Sequence, residues 1–111
     1  MQSNETLWQI GKDNPEMCEK IRSALRHVHD PENGMDIIQL GMVRDIRIID
    51  DKITVEMILT TPYCPYGPAI LESARKTVED TTGLKTTIEY GQEIWDQSMM
   101  EEGSGFDWGL Y

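Results

Sequence analysis

Ile53-Thr54-Val55-Glu56-Met57-Ile58-Leu59-Thr60-Thr61-Pro62-Tyr63-Cys64-Pro65-Tyr66-Gly67-Pro68 decides the architecture of this chain. Its first half alternates apolar Ile53, Val55, Met57 and Leu59 with polar Thr54, Glu56 and Thr60, the period of two of a half-buried strand. Its second half is a turn whose Pro65 and Pro68 suit the approach to a helix and its first turn. Ile70, Leu71, Ala74 and Val78 then recur at helical spacing, and Gly83 is a natural helix stop. Leu84, Thr86, Ile88 and Tyr90 alternate with Lys85, Thr87 and Glu89, which predicts another strand. A strand, a helix and a strand in this order form a parallel, right-handed crossover.

Upstream, residues 43–49 read as a strand with Ile46 and Ile48 on one face. It joins the next strand antiparallel through Asp50-Asp51, a short polar turn whose lack of glycine leaves a longer loop open. Before it, Asp13 or Asn14 caps a predicted helix that carries Pro15 and Glu16 in its first turn. Met17, Cys18, Ile21, Ala24, Leu25 and Val28 form the apolar stripe of that helix, which places Cys18 in the core. Pro31 is expected to stop the helix and push Asp30 toward an extended conformation. Asn33-Gly34 marks a turn, and Gly41 punctuates the entry to the following strand. In residues 1–12, Leu7, Trp8 and Ile10 suit a short packed arm. After Trp95 come Met99-Met100-Glu101-Glu102, then Gly103-Ser104-Gly105, then Phe106, Trp108 and Tyr111. That end reads either as a mobile tail or as a strap whose aromatics dock on something.

The element order helix, strand, strand, helix, strand gives an α+β, two-layer sandwich. Its mixed three-stranded sheet carries both helices on one face. The other face is then open, and open apolar sheet surface invites a partner chain, a homodimer being one form of it. The expected organisation is an N-terminal arm over 1–14, the folded domain over 15–95 and an acidic, aromatic tail over 96–111.

With 111 residues the chain holds one modest core. Its formal net charge is −10, from 20 acidic against 10 basic residues, with no basic cluster, and this argues against nucleic-acid binding. No apolar run approaches the roughly 20 residues of a membrane span. The polar first five residues show no signal peptide, so the expected compartment is the cytoplasm. Two cysteines, Cys18 and Cys64, make no disulfide framework. Nor do they suffice for an iron–sulfur cluster or a structural zinc, which usually take about four ligands. Any metal here needs carboxylates, a second chain or a partner.

Cys64 is the chief candidate for chemistry. A thiol at a helix start faces the positive end of the helix dipole, which favours the thiolate that attacks electrophiles and binds soft metals. The plainer reading is a small residue packed at a tight turn. Thr60 and Thr61, with backbone N–H groups downstream, suit an oxyanion or sulfide pocket, although Pro65 and Pro68 remove some donors. Asp30 and Glu32 flank Pro31 and would serve as bases or oxygen ligands if their loop lies beside Cys64; otherwise they are ordinary exposed turn carboxylates. His27 and His29, two apart, cannot share a metal from regular helix geometry. The scattered methionines read as core or adaptable surface rather than soft-metal ligands.

Asp30-Pro31-Glu32, Asp36-Ile37, Leu40-Gly41-Met42-Val43 and Thr60-Thr61-Pro62-Tyr63-Cys64-Pro65, in this order and spacing, resemble the MIP18 family domain, long called DUF59. That family includes the SufT-type and PaaD-type proteins. The resemblance covers roughly residues 17–95. It implies a compact α/β domain and a role in maturing iron–sulfur proteins, as an assembly or carrier factor rather than an enzyme. The family's reactive cysteine falls on Cys64, its acidic motif on Asp30 and Glu32, and Thr60 and Thr61 lie near the cysteine. Asn33-Gly34-Met35 departs from the usual aliphatic continuation, and Tyr63 is bulkier than the pattern's residue. The implied cofactor is a transient iron–sulfur cluster, bound through Cys64 and shared with another chain or a client, and not held stably by one chain. The implied partners are apo iron–sulfur clients or a cluster-assembly scaffold. The alternatives are a PaaD-like accessory component of an aromatic-ring (phenylacetyl-CoA type) oxygenase system and a thiol-dependent enzyme using Cys64.

Overall fold

The computed structural model describes residues 8–31, 34–60 and 65–100. The elements in order are α1 (Ile10–Asp13), α2 (Pro15–Leu25), β1 (Val43–Ile49), β2 (Lys52–Met57), α3 (Gly67–Thr82) and β3 (Lys85–Tyr90), followed by a 3-10 turn over Gln97–Met99. The strands form one mixed sheet in the order β1-β2-β3, with β1 antiparallel and β3 parallel to β2. The α+β architecture read from the sequence is therefore the architecture of the protein.

Local chemistry explains each boundary. The Asn14 side chain accepts a hydrogen bond from the Met17 N–H at 3.1 Å and caps α2, a contact worth about 1 kcal/mol. Gly83, at φ 74, takes the left-handed position that closes α3. Asp50 and Asp51 both sit at positive φ, 53 and 62, so β1 and β2 are joined by a two-residue turn despite the missing glycine.

The end of α2 differs from expectation. The helix stops at Leu25, well before Pro31. Residues 28–30 instead run extended beside 35–37. The Asp30 N–H donates to the Met35 carbonyl at 2.9 Å, and the Ile37 N–H donates to the Val28 carbonyl at 2.9 Å. A longer helix would forfeit that pairing, which Gly34 at φ 73 makes reachable by reversing the chain.

Strand β1 contains a bulge. Val43 pairs with Met57 and Asp45 with Glu56, so Arg44 is the extra residue. The bulge turns Val43 and Ile46, three apart, to the same buried face. That face, with Ile53, Val55 and Met57, packs with Ile21 and Leu25 of α2 and Ile70, Ala74 and Val78 of α3 into a single core. Trp8 and Ile10 join it, and the Arg22 guanidinium lies 4.5 Å from the centre of the Trp8 ring. Cys18 is buried, as its place on the stripe implies.

The opposite sheet face is charged, which corrects the expectation of an apolar surface. Register places Asp45, Arg47, Thr54, Glu56, Thr87 and Glu89 there. Arg47 reaches Glu89 at 2.7 Å and both Asp45 and Glu56 at 3.4 Å. Those carboxylates, Glu89 first, raise the Arg47 pKa above its ordinary value. An ion-pair ladder of this kind needs no partner chain to cover it.

After β3 the chain turns back over the core. The Gly91 N–H donates to the Met57 carbonyl at 2.7 Å, and the Trp95 indole N–H donates to the Leu40 carbonyl at 2.5 Å. Met100 is buried. The Met99 carbonyl presses on Gly41, where a Cβ would meet that oxygen at 2.0 Å. Residues 95–100 are thus a strap; Phe106, Trp108 and Tyr111 lie outside the described residues. Among the described residues no helix is long and apolar enough to cross a membrane.

Candidate functional site

Backbone hydrogen bonds bring the segments that carry Asp30 and Thr60 to one end of the sheet. The Ile37 N–H reaches the Val28 carbonyl, the Met42 N–H reaches Ile37 at 3.1 Å, and the Ile58 N–H reaches Met42 at 2.9 Å. Segments 28–30, 35–37, 42 and 58 therefore run side by side where β2 finishes and β1 begins. The acidic turn and the start of the loop leading to α3 share this platform.

Asp30 is fully buried, and its backbone is held at both ends, since its carbonyl also accepts the Gly34 N–H at 2.8 Å. This is not the exposed turn carboxylate that Asp-Pro-Glu first suggests. A buried carboxyl group demands hydrogen-bonding partners, so Asp30 is packed into the fold rather than solvated. Asp36 supports the platform: its carboxylate accepts from the Ile38 and Gln39 N–H groups at 2.9 and 2.8 Å and fixes the turn that returns the chain to β1.

Thr60 is half-buried and stands at the mouth of the loop. It helps to line a hollow of about 570 Å³ with Leu59, Tyr90, Gly91, Gln92, Glu93, Ile94 and Trp95. Glu32, Thr61 and Cys64 lie outside the described residues. Across the loop, α3 begins with Tyr66 as its N-cap, whose side chain makes no capping hydrogen bond, and Pro68 in its first turn. The start of a 16-residue helix carries the positive end of its dipole, which favours negative charge close to it. Gly67 brings that start close to the strand end: a Cβ there would meet the Leu59 Cδ1 at 2.6 Å.

Glu93 is tied down beside the hollow. Arg44 donates to its two carboxylate oxygens at 2.9 and 3.5 Å and to the Gly41 carbonyl at 3.1 Å. His27 and His29 are exposed, and the His29 Nδ1 lies 3.2 Å from the His27 carbonyl. Both follow the end of α2, so helical spacing does not govern them. Among the described residues no group of three or more His, Cys, Asp or Glu side chains could hold a metal ion. Arg44 and Trp95 were not singled out from the sequence. The only trace of them there is an arginine beside a strand start and a lone tryptophan after Gly91.

Residues 18–89 match the family of iron–sulfur cluster assembly proteins. The chain belongs to that family. The match spans Asp30, Glu32, Thr60, Thr61 and Cys64, and it stops just before the Gly91 to Trp95 wall of the hollow. Among relatives, the Fe-S protein maturation auxiliary factor YitW of Bacillus subtilis is 40% identical over 70 residues, covering 62% of this chain and 69% of that protein. The Fe-S protein maturation auxiliary factor of Porphyromonas gingivalis is 34% identical over 96 residues, 83% of this chain and 90% of its own length. A domain of unknown function, DUF59, from Bacillus anthracis superposes with a TM-score of 0.78 over 91% of this chain and 99% of its own, at 21% identity, which speaks to the fold alone. A conserved hypothetical protein of Thermotoga maritima reaches a TM-score of 0.62 at 32% identity, over 83% of this chain and 93% of its own.

Proposed function

We propose that this chain is an iron–sulfur protein maturation factor that handles a cluster or its metal transiently through Cys64 and passes it to client proteins. Family membership carries the reading, and the shared platform of the Asp30 turn and the Thr60 loop supports it. In this scheme Cys64 supplies the one accessible thiolate, because Cys18 is buried in the core. One thiolate per chain is far short of the usual four, so a second copy, a scaffold or the client completes the ligand set. Incomplete ligation suits a donor, which must release what it carries. Asp30 and Glu32 act as oxygen ligands or bases, and Thr60 and Thr61 steady the sulfur by hydrogen bonding. No turnover of a substrate is implied.

The test is reconstitution of the purified protein with iron and sulfide under anaerobic conditions, followed by transfer to an apo-client. Cys64→Ser is expected to abolish both the visible-range absorbance of the cluster and its transfer. Equal behaviour of wild type and variant in both assays would refute cluster handling by Cys64.

A further inference from the structure

The hollow beside Thr60 has no assigned occupant. Its walls are Leu59, Tyr90, Ile94 and Trp95, and at about 570 Å³ it lies within the roughly 300–1,000 Å³ range of sites that hold sizeable apolar groups. Tyr90 is 54% and Ile94 87% exposed, so apolar side chains of this hollow stand in water beside Gln92 and Glu93, at the end of the sheet rather than on its charged outer face. We propose that residues 106–111 of this same chain, Phe106-Asp107-Trp108-Gly109-Leu110-Tyr111, dock their aromatic side chains in this groove.

The path of the described chain points that way. Trp95 forms one wall and holds the Leu40 carbonyl, while Met99, four residues on, presses on the adjacent Gly41. Met100, the last described residue, thus follows directly on a strap that is anchored at Leu40 and Gly41 beside Trp95. Phe106 is six residues beyond Met100 and Trp108 eight, which gives spans of up to about 20 and 28 Å. Gly103-Ser104-Gly105 lies between, the composition that lets a chain double back over a short distance. Four of the last six residues are apolar or aromatic, and those four match a groove that otherwise leaves Ile94 in water. A second copy or a client segment would reach this surface only by displacing the segment.

The test is NMR of the full chain, with the Ile94 methyl groups as the probe. Nuclear Overhauser contacts from the Phe106 and Trp108 rings to those methyls are expected within one copy and at every concentration. Trp108→Ala is expected to shift the Ile94 methyl signals downfield, and Ile94→Asp, at an exposed position the fold does not need, to remove the contacts while the melting temperature holds. Contacts found only between differently labelled copies would assign the groove to a second molecule and overturn the proposal. So would spectra that lack the contacts and ignore Trp108→Ala. The measurement is repeated on Cys64→Ser, where the same contacts are expected, so it stands or falls apart from cluster handling.

Discussion

Among the described glycines, Gly41→Ala should be the most damaging substitution. Gly41 sits at φ 76, and the new Cβ would fall 2.0 Å from the Met99 carbonyl oxygen and 2.6 Å from its carbon. Both are backbone atoms, so no side-chain rotation relieves the clash. The left-handed conformation alone costs an L-residue about 1–2 kcal/mol. Moving the strap adds the exposure of Met100, about 1.5–3 kcal/mol, and the Trp95-to-Leu40 hydrogen bond, about 1 kcal/mol. The expected loss is therefore about 3 kcal/mol or more, a large share of a typical stability of about 5–15 kcal/mol. Gly83→Ala is the control. Gly83 has nearly the same φ, 74, with nothing within 4 Å of the added Cβ, so it carries only the conformational cost of about 1 kcal/mol. Urea unfolding of both variants gives the two losses directly, and the melting temperatures should differ by about 8 °C. Equal losses for Gly41→Ala and Gly83→Ala would refute the account of residues 95–100 as a strap seated on Gly41.

Other perturbations test other parts of the molecule. Asp51→Gly removes a side chain from φ 62 in the two-residue turn and should stabilise the protein by about 0.5–1 kcal/mol in the same unfolding assay. Arg47→Ala leaves Asp45, Glu56 and Glu89 facing one another without their cation; it should lower stability by about 1 kcal/mol in low salt and less in high salt. Glu79 has its pKa lowered from 4.5, first by the Thr86 N–H and then by Arg75, and Arg75 also lowers that of Glu72. A carboxylate whose folded pKa is depressed stabilises the fold above its unfolded value, and that contribution disappears as the pH falls through the folded value. Stability should thus decline on acidification below the ordinary Glu value of 4.5, and Glu79→Gln should flatten that decline in melts run across the acid range.

The strands and α3 were legible because their signals are local. Ile53 to Met57 alternates without a break, and Gly83 stops the helix by itself. The end of α2 was not legible, because Val28 and Asp30 take their backbone partners from residues 35–37, a pairing that no window of helical periodicity contains. The sheet's outer face was misread for a related reason. Its polar alternates were in the pattern, but that Arg47 of β1 reaches both Glu56 of β2 and Glu89 of β3 depends on the order and register of three strands, which no single strand's periodicity contains. The motif singled out Asp30 but not its complete burial, since Asp-Pro-Glu reads the same at a surface turn. The hollow was invisible because its walls come from the ends of two strands and the chain beyond them, brought together only by the parallel crossover.

The carboxylate of Glu79 accepts the Thr86 N–H at 3.1 Å, a donor on the border strand β3 that points away from β2. A sheet that ends in a bare strand offers its unpaired backbone to any other extended chain, and so to fibril growth. Here a helix side chain occupies one of those positions, close to the start of the strand. The same bond that ties α3 to the sheet thus acts as a guard against self-association, which matters for a small acidic protein whose solubility in acid falls as its charge is titrated away.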